Sequence, residues 1–244
     1  DVYRDPGPRG VSMREIVICM VEEHDDRCSH HSLARTFRQV GCSLCTNMNR
    51  DTFILMSSVC GARASVDLGI ALAPTSDFSS YAPYFSAGFT MFRQEGDSQC
   101  SRTVSVLRQA LRRGYGSVVL LMPGVPTLPP AYVERTLTRL RDGSSLVMGP
   151  LKNGAFYLIG ERSDTFDLLH ERVHLEKELD RPRPFSGHLL GRLQKTGVRW
   201  AVLPEWYRIH TVRDLKQLRA DARNGRGCQA RWTQGASSTI LGSC

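Results

Sequence analysis

Residues 117–122 read Ser-Val-Val-Leu-Leu-Met. An apolar run of this length, with no polar alternation, is a strand buried on both faces. Such a strand needs a covering layer above it and another below. That excludes a sheet with one wet face and points to helices packed on both sides of a sheet. The neighbouring segments supply those helices. Residues 100–113 carry Val104, Val106, Leu107, Ala110 and Leu111 on one stripe, with arginines outside, and Gly114 and Gly116 follow as terminators. Residues 129–141 form a second amphipathic helix with proline in the first turn.

The rest of the chain continues the alternation. Residues 15–21 (EIVICMV) are the first core strand, and the polar residues 22–31 are a loop. A helix is expected over 32–45 with Ser32 as N-cap, while 52–59 (TFILMSSV) fits either a helix or a strand. Strands are expected at 65–73, 89–92, 145–148, 155–160 and 198–203, and a loop or short helix at 78–85. Helices are expected at 165–179, 187–196 and 211–223, the last capped by Thr211. This order predicts a mostly parallel sheet in a three-layer α/β/α sandwich. The expected organisation is an extended arm (1–13), one α/β domain (14–223) and a Gly/Ser-rich tail (224–244).

Composition narrows the function classes. No run of about 18 apolar residues occurs, so no transmembrane helix is expected. The net charge of +8 is uneven: residues 181–232 hold twelve Lys or Arg against three acids. That suits an anionic partner such as RNA or lipid headgroups, or simply a solvated basic face. Eight cysteines in 244 residues do not form a secreted disulfide framework. Cys28, His30, Cys42 and Cys45 could form a zinc site, but Cys42 and Cys45 also fall one helical turn apart on a single face, the plainer reading. The Pro/Gly/Arg-rich start has no apolar stretch and no initiating Met, and reads as a presequence remnant, a truncation or a cloning remnant. With the basic balance it points to an organelle, the mitochondrion rather than the plastid, with the cytoplasm as the other compartment.

A series of segments carries a family resemblance. Gln94-Glu95-Gly96-Asp97 is followed by the apolar strand, Pro123-Gly124-Val125-Pro126-Thr127-Leu128-Pro129, and Leu146-Val147-Met148-Gly149-Pro150. Lys152-Asn153-Gly154-Ala155 and Phe156-Tyr157-Leu158-Ile159-Gly160 come next, and Arg208-Ile209-His210-Thr211 with Asp214-Leu215 close the series. In order and spacing this resembles a bacterial glycosyltransferase-like family related to the GT-A nucleotide-diphosphosugar transferases and to guanylyltransferases of cofactor synthesis. The resemblance implies the GT-A fold. It also implies a sugar nucleotide held through a divalent metal on carboxylates and through a basic Gly/Pro loop after the first strand.

The residues that chemistry needs are altered at four places. The first-strand loop, Glu22-Glu23-His24-Asp25-Asp26-Arg27-Cys28-Ser29-His30-His31, has four acids and neither Gly nor Pro, so it repels a diphosphate. The family's Ser-Asp turn is Pro123-Gly124, its Glu-Asp-Gly-Gly turn is Lys152-Asn153-Gly154-Ala155, and its Asp-x-Asp-Thr is Arg208-Ile209-His210-Thr211. Asp97 alone survives. Asp97, Pro123, Gly124, Lys152, Asn153 and His210 are therefore expected to line a vestigial cleft, with no catalytic residue, no metal and no cofactor. The leading expectation is a pseudoenzyme serving as a subunit of a larger assembly, reaching its partners through the arm and the tail. Two alternatives stand beside it. One is an active metal-dependent transferase or nucleotidyltransferase with a site rebuilt on Asp97, Asp25, Asp26 or His210. The other is an RNA- or ribosome-associated protein using the basic 181–232 region.

Overall fold

The computed structural model describes residues 14–21, 38–61, 65–74, 78–81, 87–181, 187–224 and 230–242. Among these, seven strands form one sheet in the order β3-β2-β1-β4-β6-β5-β7. They are β1 (Glu15–Met20), β2 (Val66–Leu72), β3 (Thr90–Arg93), β4 (Ser117–Leu121), β5 (Leu146–Pro150), β6 (Phe156–Arg162) and β7 (Trp200–Val202). β6 pairs antiparallel with β4 and with β5; the other four pairings are parallel. The helices are α1 (Arg38–Cys60), α2 (Gln99–Arg112), α3 (Pro130–Arg141), α4 (Leu175–Leu179), α5 (Gly187–Thr196), α6 (Val212–Arg223) and α7 (Arg231–Gly242).

The sheet is covered on both sides, as the apolar run required. Val118, Val119, Leu120 and Leu121 of β4 are all fully buried. Successive side chains of a strand face opposite ways. Val17 and Cys19 accordingly join one cluster with Phe53, Met56 and Val59 of α1 and Val133, Leu137 and Leu140 of α3. Ile16, Ile18 and Met20 join the other with Val104 and Leu107 of α2, Leu175 of α4, and Leu189 and Leu193 of α5. Each such side chain contributes about 1.5–3 kcal/mol on burial. A third cluster ties the start of α1 to α6 and the start of α7, through Leu44, Cys45, Met48, Leu215, Leu218 and Ala230.

One segment settles an alternative that the sequence left open, and two differ from the sequence expectation. Residues 52–59 are helical, continuing α1, because burial follows helical spacing: Met48, Thr52, Leu55, Met56 and Val59 face inward while Ile54, Ser57 and Ser58 face outward. The expected helix over 165–179 is broken into a 3-10 turn (Ser163–Thr165), a π turn (Leu168–Arg172) and the short α4. The π turn brings His170 Nε2 to 3.0 Å from the buried Glu161 carboxylate, with the Phe166 ring tilted by 31° against the imidazole at 4.1 Å. That tertiary pairing outweighs regular helix geometry. The end of the chain, expected as a tail, contains α7. Asp51, fully buried in α1, accepts from the N–H of Trp232 (3.3 Å) and Thr233 (2.7 Å) and from Thr233 Oγ1 (2.6 Å), which anchors the first turn of α7. The expected arm, residues 1–13, lies outside the described residues.

Candidate functional site at the carboxyl ends of the strands

In an open parallel sheet the connections change direction beside the first strand, here between β1 and β4, and ligands bind beyond the carboxyl ends of strands at such a point. Those ends are tied together by Gln94, a residue of the resemblance. Its buried amide Nε2 donates to Val21 O and Ala71 O, each at 2.8 Å, joining the ends of β1 and β2.

Three of the four altered places converge at this end. After β4, Met122 N–H donates to Tyr157 O (2.9 Å), and the chain then turns through Pro123-Gly124, both buried. Gly124 has φ +81, and a Cβ there would lie 3.0 Å from Arg208 Cγ. The 206–209 segment is stitched across the strand ends: Trp206 N–H donates to Pro150 O (3.0 Å), Lys152 N–H to Trp206 O (3.3 Å), and Ile209 N–H to Gly124 O (2.8 Å). The β5–β6 turn closes with Leu151 N–H on Ala155 O (2.8 Å) and Ala155 N–H on Asn153 Oδ1 (3.1 Å). Gly149 permits a close crossing: a Cβ there would fall 2.3 Å from Tyr157 Cζ, and the Tyr157 hydroxyl donates to Pro204 O (3.0 Å). Trp206 packs between Tyr132 and Tyr207 and donates to Thr127 Oγ1 (3.2 Å), so it is a framework residue.

Together these segments border a cavity of about 260 Å³. Pro123, Asn153 and Arg208 line it, joined by Gln99, Cys100, Asp180 and Arg181. Asp97 is exposed in the turn before α2, Lys152 is exposed on the β5–β6 turn, His210 is half-buried with its N–H on Asp214 Oδ2 (3.0 Å), and Gly124, which follows Pro123, is buried; none of the four lines the cavity. The loop 22–31, with Cys28 and His30, lies outside the described residues, as does the Cys42 side chain, while Cys45 packs in the third apolar cluster. Sequence reading missed Gln99, Cys100, Asp180 and Arg181. The first two sit on the first turn of α2, which Ser98 caps through reciprocal hydrogen bonds with Ser101. The last two follow α4, whose existence depended on the broken helix.

The chemistry of this lining is restricted. Burial pushes the Cys100 thiol up to about 12, and Asp180 beside it pushes the same way, so Cys100 is protonated at neutral pH and is no nucleophile. A divalent metal fits poorly. Asp180 is the one carboxylate on a lining that also carries Arg208 and Arg181, and Asn153 stands where the resembling family has an acid. Among the described residues no three His, Cys, Asp or Glu side chains are grouped to hold a metal ion. Beside the cavity, buried Glu178 gathers His188 Nδ1 (2.9 Å), Arg181 Nε (3.1 Å) and Arg192 (3.2 Å), locking α4 to α5. Burial alone would raise its pKa, but the hydrogen bonds from His188 and Arg192 and the charge of Arg181 outweigh burial and lower it. Among the described residues no helix is long and apolar enough to cross a membrane.

Comparison with known proteins agrees with this architecture. The family described as "Uncharacterized protein conserved in bacteria (DUF2064)" matches residues 56–174. No protein of curated function matches the chain significantly. The fold is similar to that of a candidate nucleotide-diphospho-sugar transferase from Desulfovibrio desulfuricans G20, with a TM-score of 0.69 and 19% identity over 93% of this chain and 96% of that one. It is also similar to a 4-diphosphocytidyl-2C-methyl-D-erythritol synthase from Anaerococcus prevotii (TM-score 0.58, 13% identity, 87% and 97% covered). A cytidylyltransferase from Leptospira borgpetersenii shares the fold as well (TM-score 0.53, 11% identity, 96% and 95% covered). The chain thus has the fold of the nucleotide-diphospho-sugar transferases, and its central part, residues 56–174, matches the bacterial DUF2064 family.

Proposed function

We propose that this chain is a non-catalytic relative of the nucleotide-diphospho-sugar transferases, acting as a structural or accessory subunit of a larger protein assembly. One observation carries the reading. The Arg208 side chain packs against the Gly124 turn at the end of β4, so a guanidinium stands where metal chemistry needs carboxylates. A fixed cation repels a divalent ion and leaves no acid pair to bridge it to a diphosphate. The acid-rich loop after β1 adds the opposite fault, a negative charge where phosphate needs N–H groups and lysine. The residues retained from the resemblance do structural work: Gln94 ties strand ends, Gly149 admits Tyr157, and Thr211 with Asp214 caps α6.

Titration calorimetry with UDP-, GDP- and CDP-sugars at millimolar concentration, with and without Mn²⁺ or Mg²⁺, tests the proposal. The expected result is no metal-dependent heat. A saturable metal-dependent isotherm that Asp180→Asn removes would replace this reading with an active transferase on a rebuilt site.

A further inference from the structure

The exposed face of α6 is built from one kind of charge. Arg213, Lys216, Arg219 and Arg223 are all exposed, spaced three, three and four residues apart, and so share one side of the helix. At 1.5 Å per residue they extend over about 15 Å. The two acids of α6 do not belong to this face. Asp214 is used by the cap, accepting from the N–H groups of His210 (3.0 Å) and Thr211 (2.8 Å), and Asp221 is buried and accepts from Gln217 (3.0 Å). Ion pairs among the described residues engage Arg14, Arg141, Arg162, Arg181 and Arg192, not these four. Like charges three or four apart destabilise a helix. This face therefore opposes folding of the isolated chain, and a polyanion laid along it relieves the repulsion.

The apolar side of α6 is already spent. Leu215 and Leu218 are fully buried against Leu44, Met48 and Ala230. A surface helix that binds a bilayer inserts its apolar face, and α6 has none to offer. The adjoining helix α7, which packs in the same cluster, supplies an exposed aromatic. Trp232 is 45% exposed and carries the Arg50 guanidinium over its ring at 3.6 Å. A tryptophan bearing a cation on one ring face is ill suited to acyl chains, and a base would stack on the face that Arg50 leaves open. Cations that follow a phosphate backbone, with an exposed aromatic on an adjoining helix, are the elements of single-strand recognition.

We propose that the cationic face of α6, Arg213, Lys216, Arg219 and Arg223, with Trp232 of α7, docks single-stranded nucleic acid. The inference stands apart from the cleft and from whether the cleft is catalytic. The test is fluorescence anisotropy of a labelled oligouridylate of about 12 nucleotides against the full chain across a salt series. Neutralising four phosphates gives a log–log salt slope near −3, and Arg219→Gln with Arg223→Gln should flatten it by about 1.4. Trp232→Ala should weaken binding about tenfold at every salt concentration without changing the slope. Arg135→Gln with Arg139→Gln, two exposed cations of α3, should change neither. The proposal is overturned by any of three results. The α6 and α3 double variants could lose affinity equally, as general charge would predict. The α6 variant could bind like the parent. The chain could ignore the oligonucleotide yet bind phosphatidylserine–phosphatidylcholine vesicles. These surface substitutions spare the core, and unchanged circular dichroism and thermal midpoints separate lost binding from lost folding.

Discussion

At the residue scale, Gly124 and Glu178 hold the cleft in its present form. Gly124 sits at φ +81, where an L side chain is strained, and a Cβ would press on Arg208 Cγ at 3.0 Å and Ile209 O at 3.3 Å. Gly124→Ala should cost about 1–2 kcal/mol in denaturant unfolding. Arg208→Ala should recover only the part due to contact, because the backbone strain remains. Glu178 offers a pH-dependent test. Its folded pKa lies below the unfolded value, so its contribution is complete above the unfolded carboxylate pKa of about 4.3 and fades as pH falls through the lower folded one. Glu178→Gln should cost about 1–2 kcal/mol at neutral pH, since its cationic partners are themselves partly wet. The variant should then converge on the parent below about pH 4. Parallel stability curves across that range would show that Glu178 is not the titrating group.

At the element scale, the informative unit is the α1–α7 pair. Compositional reading makes the Gly/Ser-rich end a tail, because small polar residues bury little area and favour solvent. What holds α7 is a cap supplied by a residue about 180 positions away in sequence. Asp51→Ala should lower global stability by about 1–2 kcal/mol and raise amide exchange in α7 before any other helix. Uniform exchange across all helices would mean that α7 is anchored by packing alone. The same long-range logic explains the other two segments. Residues 52–59 are too evenly apolar to choose between periods by themselves, and their contacts with the sheet choose the helix. The 165–179 segment has an ordinary helical pattern, but the demand of buried Glu161 for a partner bends it into a π turn. Elements whose signal was local, such as β4 and α2 and the Thr211 cap, appear where their sequences put them.

At the scale of the whole molecule, charge placement matters more than charge count. The basic 181–232 region reads as one patch in sequence, yet the fold divides it. Among the described residues, Arg181 and Arg208 line the cleft, Arg181 and Arg192 pair with Glu178, and the exposed cations of α6 form a continuous face. The accessory role proposed above predicts that the chain works through contacts with other subunits. Native mass spectrometry of the protein isolated from its own cells should find it at fixed stoichiometry with other subunits, and Asp97→Ala should leave that assembly intact. Isolation as a lone monomer would overturn the assembly reading.

The sequence by itself determined the layered α/β architecture, because a strand buried on both faces admits few alternatives, and, set beside the family it resembles, it showed acids absent at three motif places and present at the fourth, the loop 22–31. Tertiary structure alone decided which of those positions meet. Pro123, Asn153 and Arg208 close on one cavity, while Asp97, Lys152 and His210 stay off its wall. It also brought in Asp180 and Arg181, which no motif marks, through a helix broken by a buried pair. The physical reason is common to all of these. Periodicity and composition report what a segment buries, whereas a site is made by the ends of segments, and their meeting is fixed by hydrogen bonds and packing between residues far apart in the chain.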